Sequence, residues 1–420
     1  MKHSDPASIS LAVLAAARAG RFAEVRGMFA RPQRRKLSAE GLQAAWAEAF
    51  GRHEPVTSIG TPASEAVGGG VVAVTVPVVC EHERLTMVVS VDGAGRLVNI
   101  QVTPTAEPWV PPGYADADGF SEQDVILGSG PLAVPGTLTL PNLPGPKPAV
   151  VLLCGGGPFD RDMTMGRNKI GKDLAWGLAS RGVAVLRFDK VTHAHADLVA
   201  QIPGFTPADE YVPHAVAAVE LLRQHPEVDP AKVFVAGHSM GGAMAPRVAA
   251  AEPSVAGLVL LAGGAQPMHH AAVRVVRYLA ALRPGDPAGE AAVAAITEQA
   301  GVVESVGLDS STPAGKLPFG YSAAFWLSMR SYDPVAIAAE LPQPMLVLQG
   351  GRDYQVTVAD DFALWQAGLA SRADVTMRVH DADNHLFFVG AGVSQPAEYD
   401  PAQHVDPAVV AEIADWLIGH

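Results

Sequence analysis

The sequence predicts an α/β protein, a mostly parallel sheet flanked by helices, with an inserted helical cap and a small N-terminal α+β domain. Three observations carry this. From about residue 123 onward, strand-like runs alternate with helical ones in the βαβ rhythm of a parallel sheet. Between Leu261 and Met345 the rhythm breaks for about eighty residues, far longer than an ordinary α/β connection. Residues 1–105 carry their own pattern of helices followed by β-branched runs.

In the N-terminal part, helical periodicity runs from residue 8 to 50, through Leu11, Leu14, Phe22, Val25 and Phe29. Ser38 then reads as an N-cap before Leu42, Trp46 and Phe50. Strands follow at Val71–Cys80, Leu85–Val91 and Leu97–Val102, with Asp92-Gly93-Ala94-Gly95 as a turn. Residues 106–122, rich in Pro and Gly, have the composition of an extended linker. A hairpin-like pair (Asp124–Leu127, Gly136–Leu140) opens the larger domain, 123–420. Its further strands are expected at Ala149–Cys154, Val183–Phe188, Val233–Gly237, Val255–Leu261, Met345–Gly350 and Val375–Val379. Helical patches at Ala271–Leu282 and Gly289–Ala300 mark the cap, about 266–331.

Composition narrows the function classes. Of 420 residues, 49% are hydrophobic and 17% charged, and 42 Gly and 34 Pro are scattered without a period, which excludes collagen, coiled coil and wholesale disorder. Thirty Lys+Arg against 43 Asp+Glu give a net charge of −13, and no basic run exceeds Arg34-Arg35-Lys36, so nucleic acid is not an expected partner. Cys80 and Cys154 are too few for a disulfide framework and fit a reducing compartment, the cytoplasm by default. Leu11–Ala17 lies after Asp5-Pro6 and continues through Arg18 and Arg21, the pattern of an amphipathic helix rather than a signal peptide. No apolar run is long enough to predict a membrane span.

The chemistry-bearing signal is Gly237-His238-Ser239-Met240-Gly241. It follows the strand-like Lys232–Ala236 and precedes a small-residue helix, the strand, sharp turn, helix setting that lifts a nucleophilic serine out of a sheet edge. A serine hydroxyl needs a base and an orienting acid, which in this architecture come later in the order Ser, Asp/Glu, His. Asp353, just past the strand Met345–Gly350, fits the acid, with Asp360 and Asp361 as competitors on a helix expected at Val356–Leu369. His385, just after the last strand, fits the base among 14 His. His404 and His420 lie farther downstream, whereas His238, His269 and His270 precede the acid. Donors for a developing oxyanion are expected from the Met240 amide and from Gly155-Gly156-Gly157-Pro158, with Gly156 preferred and Gly157 next. That loop lacks the Lys-Ser/Thr of a phosphate-binding P-loop.

From about Phe120 onward the chain resembles the α/β-hydrolase superfamily. It resembles more narrowly the bacterial carboxylesterases that carry an N-terminal helix-plus-sheet domain. The resemblance rests on Gly157–Asp162, Asn168–Gly182, Gly237–Gly242, Phe325–Pro334, Leu348–Thr357 and Asn384–Phe387. It implies carboxylic-ester hydrolysis through an acyl-enzyme on Ser239, with Asp353 and His385. The chain departs from the usual His-Gly-Ser-Gly-Pro at Cys154 and Gly156, and lacks the Arg usual after Lys190.

Other features have plainer readings. Cys154 reads as a small residue ending a strand. His193, His195, His269 and His270 lack the spacing of a metal site, and neither metal nor cofactor is expected. Asp160, Arg161 and Asp162 read as charges that order the loop. Tyr321, Phe325 and Trp326 either line an acyl pocket or form the cap's own core. The expected partner is a small-molecule acyl substrate, with a homodimer open. Thioesterase, lactonase and acyltransferase activities use the same machinery, and a non-catalytic binding protein is the remaining alternative.

Overall fold

The computed structural model describes residues 5–50, 55–68, 70–81, 84–105 and 109–420, and the chain divides into two compact units, Met1–Glu107 and Pro108–His420. In the first unit, helices α1 (Pro6–Arg18), α2 (Phe22–Met28), α3 (Arg31–Arg34) and α4 (Ala39–Phe50) precede strands β1 (Val56–Ile59), β2 (Ala63–Gly68), β3 (Val71–Cys80), β4 (Arg84–Val91) and β5 (Leu97–Pro104). All strand pairs of this sheet are antiparallel. β4 alternates buried and half-buried positions, and its buried Leu85, Met87, Val89 and Val91 join Leu14, Val25 and Phe50 in one core. Ser38 Oγ accepts from Gly41 N at 2.9 Å at the start of α4. β1 and β2 were not expected, because Ser, Thr, Glu and Gly dilute the apolar alternation there.

The second unit is built on an eight-stranded sheet. Its strands are β6 (Phe120–Leu127), β7 (Val134–Pro141), β8 (Lys147–Leu153), β9 (Ala184–Phe188), β10 (Val228–His238), β11 (Leu258–Leu261), β12 (Met345–Gly350) and β13 (Val375–His380). Their order is β13-β12-β11-β10-β8-β9-β7-β6. β6 and β7 are antiparallel, and β8 to β13 run parallel. Both faces are covered, which is why the central strands read as continuous apolar runs. In β8, Ala149, Val151 and Leu153 belong to one core while Val150 and Leu152 belong to the other. Helices α5 (Ile170–Ala179) and α12 (Pro407–Gly419) cover the second face, and α6 (Pro207–Gln224) and α7 (Met240–Ala251) the first. A capping box of Thr206 and Asp209 starts α6.

Two sequence expectations need correction. Residues 109–119 are not an extended linker, since they pack on the second unit's own helix α5. The Trp109 indole donates to Asp173 Oδ1 at 2.8 Å and meets Trp176 edge-on, and Tyr114 lies against Gly177. Strand β6 then begins at Phe120, inside the supposed linker. The Pro and Gly content hid two aromatic anchors whose burial outweighs the local composition.

The cap comprises α8 (Met268–Ala281), α9 (Pro287–Glu304) and α10 (Ala323–Arg330), followed by α11 (Pro334–Glu340) at its exit. Here Trp326 is corrected from pocket to core. It is 0% exposed, packed with Val303, Leu308, Leu317 and Ala323, and its indole donates to Pro318 O at 3.3 Å. Its place on α10 turns it fully inward, while its neighbour Phe325 is half-buried at the edge of the same cluster. Trp326→Ala should therefore cost about 3–5 kcal/mol, read as a fall in the thermal midpoint. An unchanged midpoint would contradict this placement.

Candidate active site

Each expected catalytic and oxyanion residue follows the C-terminal end of a parallel strand, at the edge where open α/β sheets bind ligands. β8 and β10 are neighbours, with Leu153 paired to Gly237, so the glycine loop and the Ser239 turn leave the sheet side by side. Asp353 follows β12 and His385 follows β13, again neighbours, with Gly350 paired to His380.

Ser239 has φ 54° and ψ −118°, a conformation an L-residue adopts only when its surroundings impose it. Its amide donates to Leu261 O at 2.8 Å and its carbonyl accepts from Ala243 N at 3.0 Å, so strand and helix are clamped from both ends. Glycine is required on either side. A Cβ on Gly237 would stand 2.2 Å from Gly241 O, and one on Gly241 would stand 2.5 Å from Cys154 O.

Asp353 and His385 are brought together. His385 Nδ1 donates to Asp353 Oδ2 at 2.6 Å, and both residues are 5% exposed. The carboxylate is fully occupied: Oδ1 accepts from Gln355 N at 2.7 Å and Val356 N at 3.0 Å, and Oδ2 also accepts from Gln349 Nε2 at 3.1 Å. This array fixes the imidazole tautomer, with Nδ1 protonated and Nε2 bearing the lone pair. Among the described residues the Ser239 hydroxyl has no hydrogen bond to His385. Such contacts are often long before substrate binds.

What joins the serine turn to the histidine loop is His238. Its Nε2 donates to the His385 carbonyl at 2.8 Å, and the two rings lie 4.8 Å apart. Full burial and the neighbouring His385 push its pKa down to about 3, so it stays neutral. Sequence reasoning set His238 aside, although its place inside the turn was the signal. Gln349 was also missed, a polar residue in the otherwise apolar β12.

The Met240 amide opens α7, where the first amides have no intrahelical acceptor. Gly156 lies beside it, an added Cβ falling 3.5 Å from Met240 Sδ, and Gly157 adopts φ +107°. Underneath, Lys190 is 3% exposed. Its Nζ donates to Gly155 O at 3.0 Å and to Tyr211 Oη at 2.9 Å, and pairs with Glu210 at 3.2 Å. Tyr211 Oη lies 2.8 Å from Gly155 O and 3.0 Å from Cys154 O. These contacts turn the loop's carbonyls inward. Burial lowers the Lys190 pKa and raises that of Tyr211. A lysine two residues past strand β9 is the legible signal. Burial pushes the Cys154 thiol up to about 12, which leaves it unreactive.

The remaining candidates are placed elsewhere. Asp361 accepts from Ala265 N, Gln266 N and Thr357 N and from Arg274 Nη2 at 2.7 Å, tying the cap to its base. Asp360 accepts from Thr357 Oγ1. His404 pairs with Asp173 at 3.1 Å and His420 with Trp416 O. His193 and His195 bond the carbonyls of Pro158 and Ala133, and His269 pairs with Glu304. Arg161 bonds Asp189 and Thr137, Asp160 accepts from Thr164, and Asp162 pairs with Lys169 and Arg187, so this charged cluster orders the loop. Next to Met240 and Gly157 opens a cavity of about 530 Å³ lined by Val199, Ile202, Phe205, Glu210, Tyr321 and Phe325 among others. Tyr321 and Phe325 thus face it and Trp326 does not.

A parallel sheet with a strained serine turn and a buried Asp–His pair at its C-terminal edge defines an α/β-hydrolase. The chain belongs to the family described as serine aminopeptidase, S33, which matches residues 167–389. Esterase EstD of Thermotoga maritima is 35% identical over 342 residues, 80% of this chain and 77% of that protein. The monoacylglycerol lipase of Mycolicibacterium smegmatis is 27% identical over 191 residues, 44% of this chain and 62% of that one. Among solved structures, a hyperthermophilic esterase from Pyrobaculum calidifontis aligns at TM-score 0.46 and 17% identity, covering 71% of this chain and 85% of that one. No helix among the described residues is long and apolar enough to cross a membrane.

The neutral His238 makes stability pH-dependent in a definite direction. Unfolded, this side chain takes a proton near its ordinary 6.5, whereas folded it does so only near 3. Between those values the unfolded state binds the extra proton, so stability falls as pH falls. His238→Gln retains an N–H for the His385 carbonyl and should flatten the slope of unfolding free energy between about pH 6 and 5 by roughly 1 kcal/mol per pH unit. Denaturant melts of both proteins at those pH values measure it, and equal slopes would contradict it.

Proposed function

We propose that the protein is a serine carboxylesterase acting on small apolar esters. In this reading His385 Nε2 takes the Ser239 hydroxyl proton as Oγ attacks the acyl carbon, and Asp353 stabilises the imidazolium through the Nδ1 bond. The amides of Met240 and of Gly156, with Gly157 as the neighbouring alternative, receive the oxyanion. His385 passes the proton to the leaving alcohol, and water, activated by the same imidazole, releases the acid. The single observation that carries the reading is the buried Asp353–His385 pair, its carboxylate fully hydrogen-bonded, on the same sheet edge as a strained serine.

The cavity favours an ester over a peptide with a free amino terminus. Binding an ammonium needs a carboxylate with charge to spare. Glu210, the one carboxylate lining the cavity among the described residues, already pairs with Lys190 and accepts from Thr192 Oγ1. The esterase relative is consistent with this choice. The two cysteines fit a reducing compartment, and we place the protein in the cytoplasm.

A panel of p-nitrophenyl esters, matched thioesters and aminoacyl amides tests the reading, the esters being turned over fastest. Ser239→Ala should lower kcat roughly 10⁴-fold or more, and Asp353→Asn about 10⁴-fold, with the fold intact by circular dichroism. Near wild-type ester hydrolysis by Ser239→Ala would overturn the assignment. Phe325→Ala enlarges the cavity and should shift kcat/KM toward longer acyl chains, each methylene being worth about 1–3 kcal/mol. A chain-length profile identical to the wild type would remove Phe325 from the acyl site.

A further inference from the structure

Two residues before His385, in the loop that follows β13, Asp383 is 0% exposed and neither carboxylate oxygen has a hydrogen-bond donor among the described residues. A buried ionised carboxylate without a donor or counter-charge is strongly unfavourable. Its neighbour is a second carboxylate, Asp406, so the pair repels itself. Arg352, the nearby cation, is committed elsewhere: its guanidinium donates to Ala382 O, Ala391 O, Gly392 O and Glu398.

The third member is His380, at the end of β13. One ligand atom from each of His380, Asp383 and Asp406 lies within 4.8 Å of the others. The geometry points to a divalent-cation site, best suited to zinc, formed by His380, Asp383 and Asp406 at the loop that carries His385. Zinc accepts imidazole and carboxylate together at about 2.0–2.2 Å, so the three side chains need to close by about an ångström, whereas calcium and magnesium prefer all-oxygen shells. His380 Nε2 pairs with Glu412 at 3.1 Å, which leaves Nδ1 to the cation. A carboxylate on the far nitrogen is what orients a ligating imidazole and raises its basicity. Asp406 caps α12, its Oδ1 accepting from Ala408 N at 2.7 Å, and its own amide donates to Phe387 O at 2.8 Å. The ion would thus cross-link the end of a strand, the His385 loop and the last helix.

The site stands apart from the ester-hydrolysis reading, and its test uses no activity. Metal-stripped full-length protein is titrated with Zn²⁺ alone and followed by calorimetry and thermal melting. The expected result is a bound equivalent and a raised midpoint that Ca²⁺ does not reproduce. Asp383→Asn should weaken Zn²⁺ binding about tenfold or more. Asp406→Asn should do the same while keeping the helix cap, because Asn caps as well as Asp. Glu304→Gln, which alters the cluster of His269, His270 and Glu304 in the cap, should leave binding unchanged. If Asp383→Asn does not fold, His380→Gln on a half-buried side chain carries the same expectation. No bound Zn²⁺, or binding that survives Asp383→Asn and is lost in Glu304→Gln, would overturn the site.

Discussion

The backbone of Ser239 is the constraint on which the second unit depends. A φ of 54° with ψ of −118° costs an L-residue on the order of 1–3 kcal/mol, and persists only where the surroundings over-determine it. Here three neighbouring strands do so. Leu261 O holds the amide, α7 holds the carbonyl, and Gly237 and Gly241 allow backbone to approach backbone where no Cβ would fit. The Cβ of Ser239 is thereby fixed by the sheet, and the residues around it can be arranged against a stationary point.

That arrangement uses main-chain and buried polar contacts more than exposed charges. His238 reaches the His385 carbonyl, Gln349 and two amides hold Asp353, and Lys190 with Tyr211 holds the carbonyls of the glycine loop. The His238, Gln349, Lys190 and Tyr211 contacts tie loops to the sheet or its flanks, and the two amides close the Asp353 loop on itself. Because these groups are desolvated, each hydrogen bond is stronger than it would be in water, and each unpaired group would be costlier. The departure of the glycine loop from a leading histidine to Cys154 is accommodated in this way. Its geometry is set from below by Lys190 and Tyr211, and the buried Cys154 thiol donates to Asp160 O at 3.6 Å.

How much of this the sequence shows depends on whether a residue acts through a pattern or through a partner. The parallel strands announce themselves because both faces are buried, and the serine turn because glycine has to flank it. Asp353 and His385 follow from chain order after their strands. β1 and β2 stay hidden because their polar residues break the alternation, and residues 109–119 mislead because Trp109 and Tyr114 act across long sequence distances. Trp326 differs from Phe325 only in which side of α10 it occupies, a distinction that packing against Val303 and Leu317 decides. Lys190, His238 and Asp383 take their meaning from partners elsewhere in the chain, and Gln349 takes its meaning from Asp353, four residues on.

The most direct test of the account is the identity of the atom that carries the acyl group. Incubation of the intact protein with a fluorophosphonate, followed by proteolysis and tandem mass spectrometry, should place a single phosphonyl adduct on Ser239. Prior occupancy by an ester substrate should slow its formation. An adduct confined to another residue, or an active enzyme that takes up no label, would contradict the strained serine as the reacting centre.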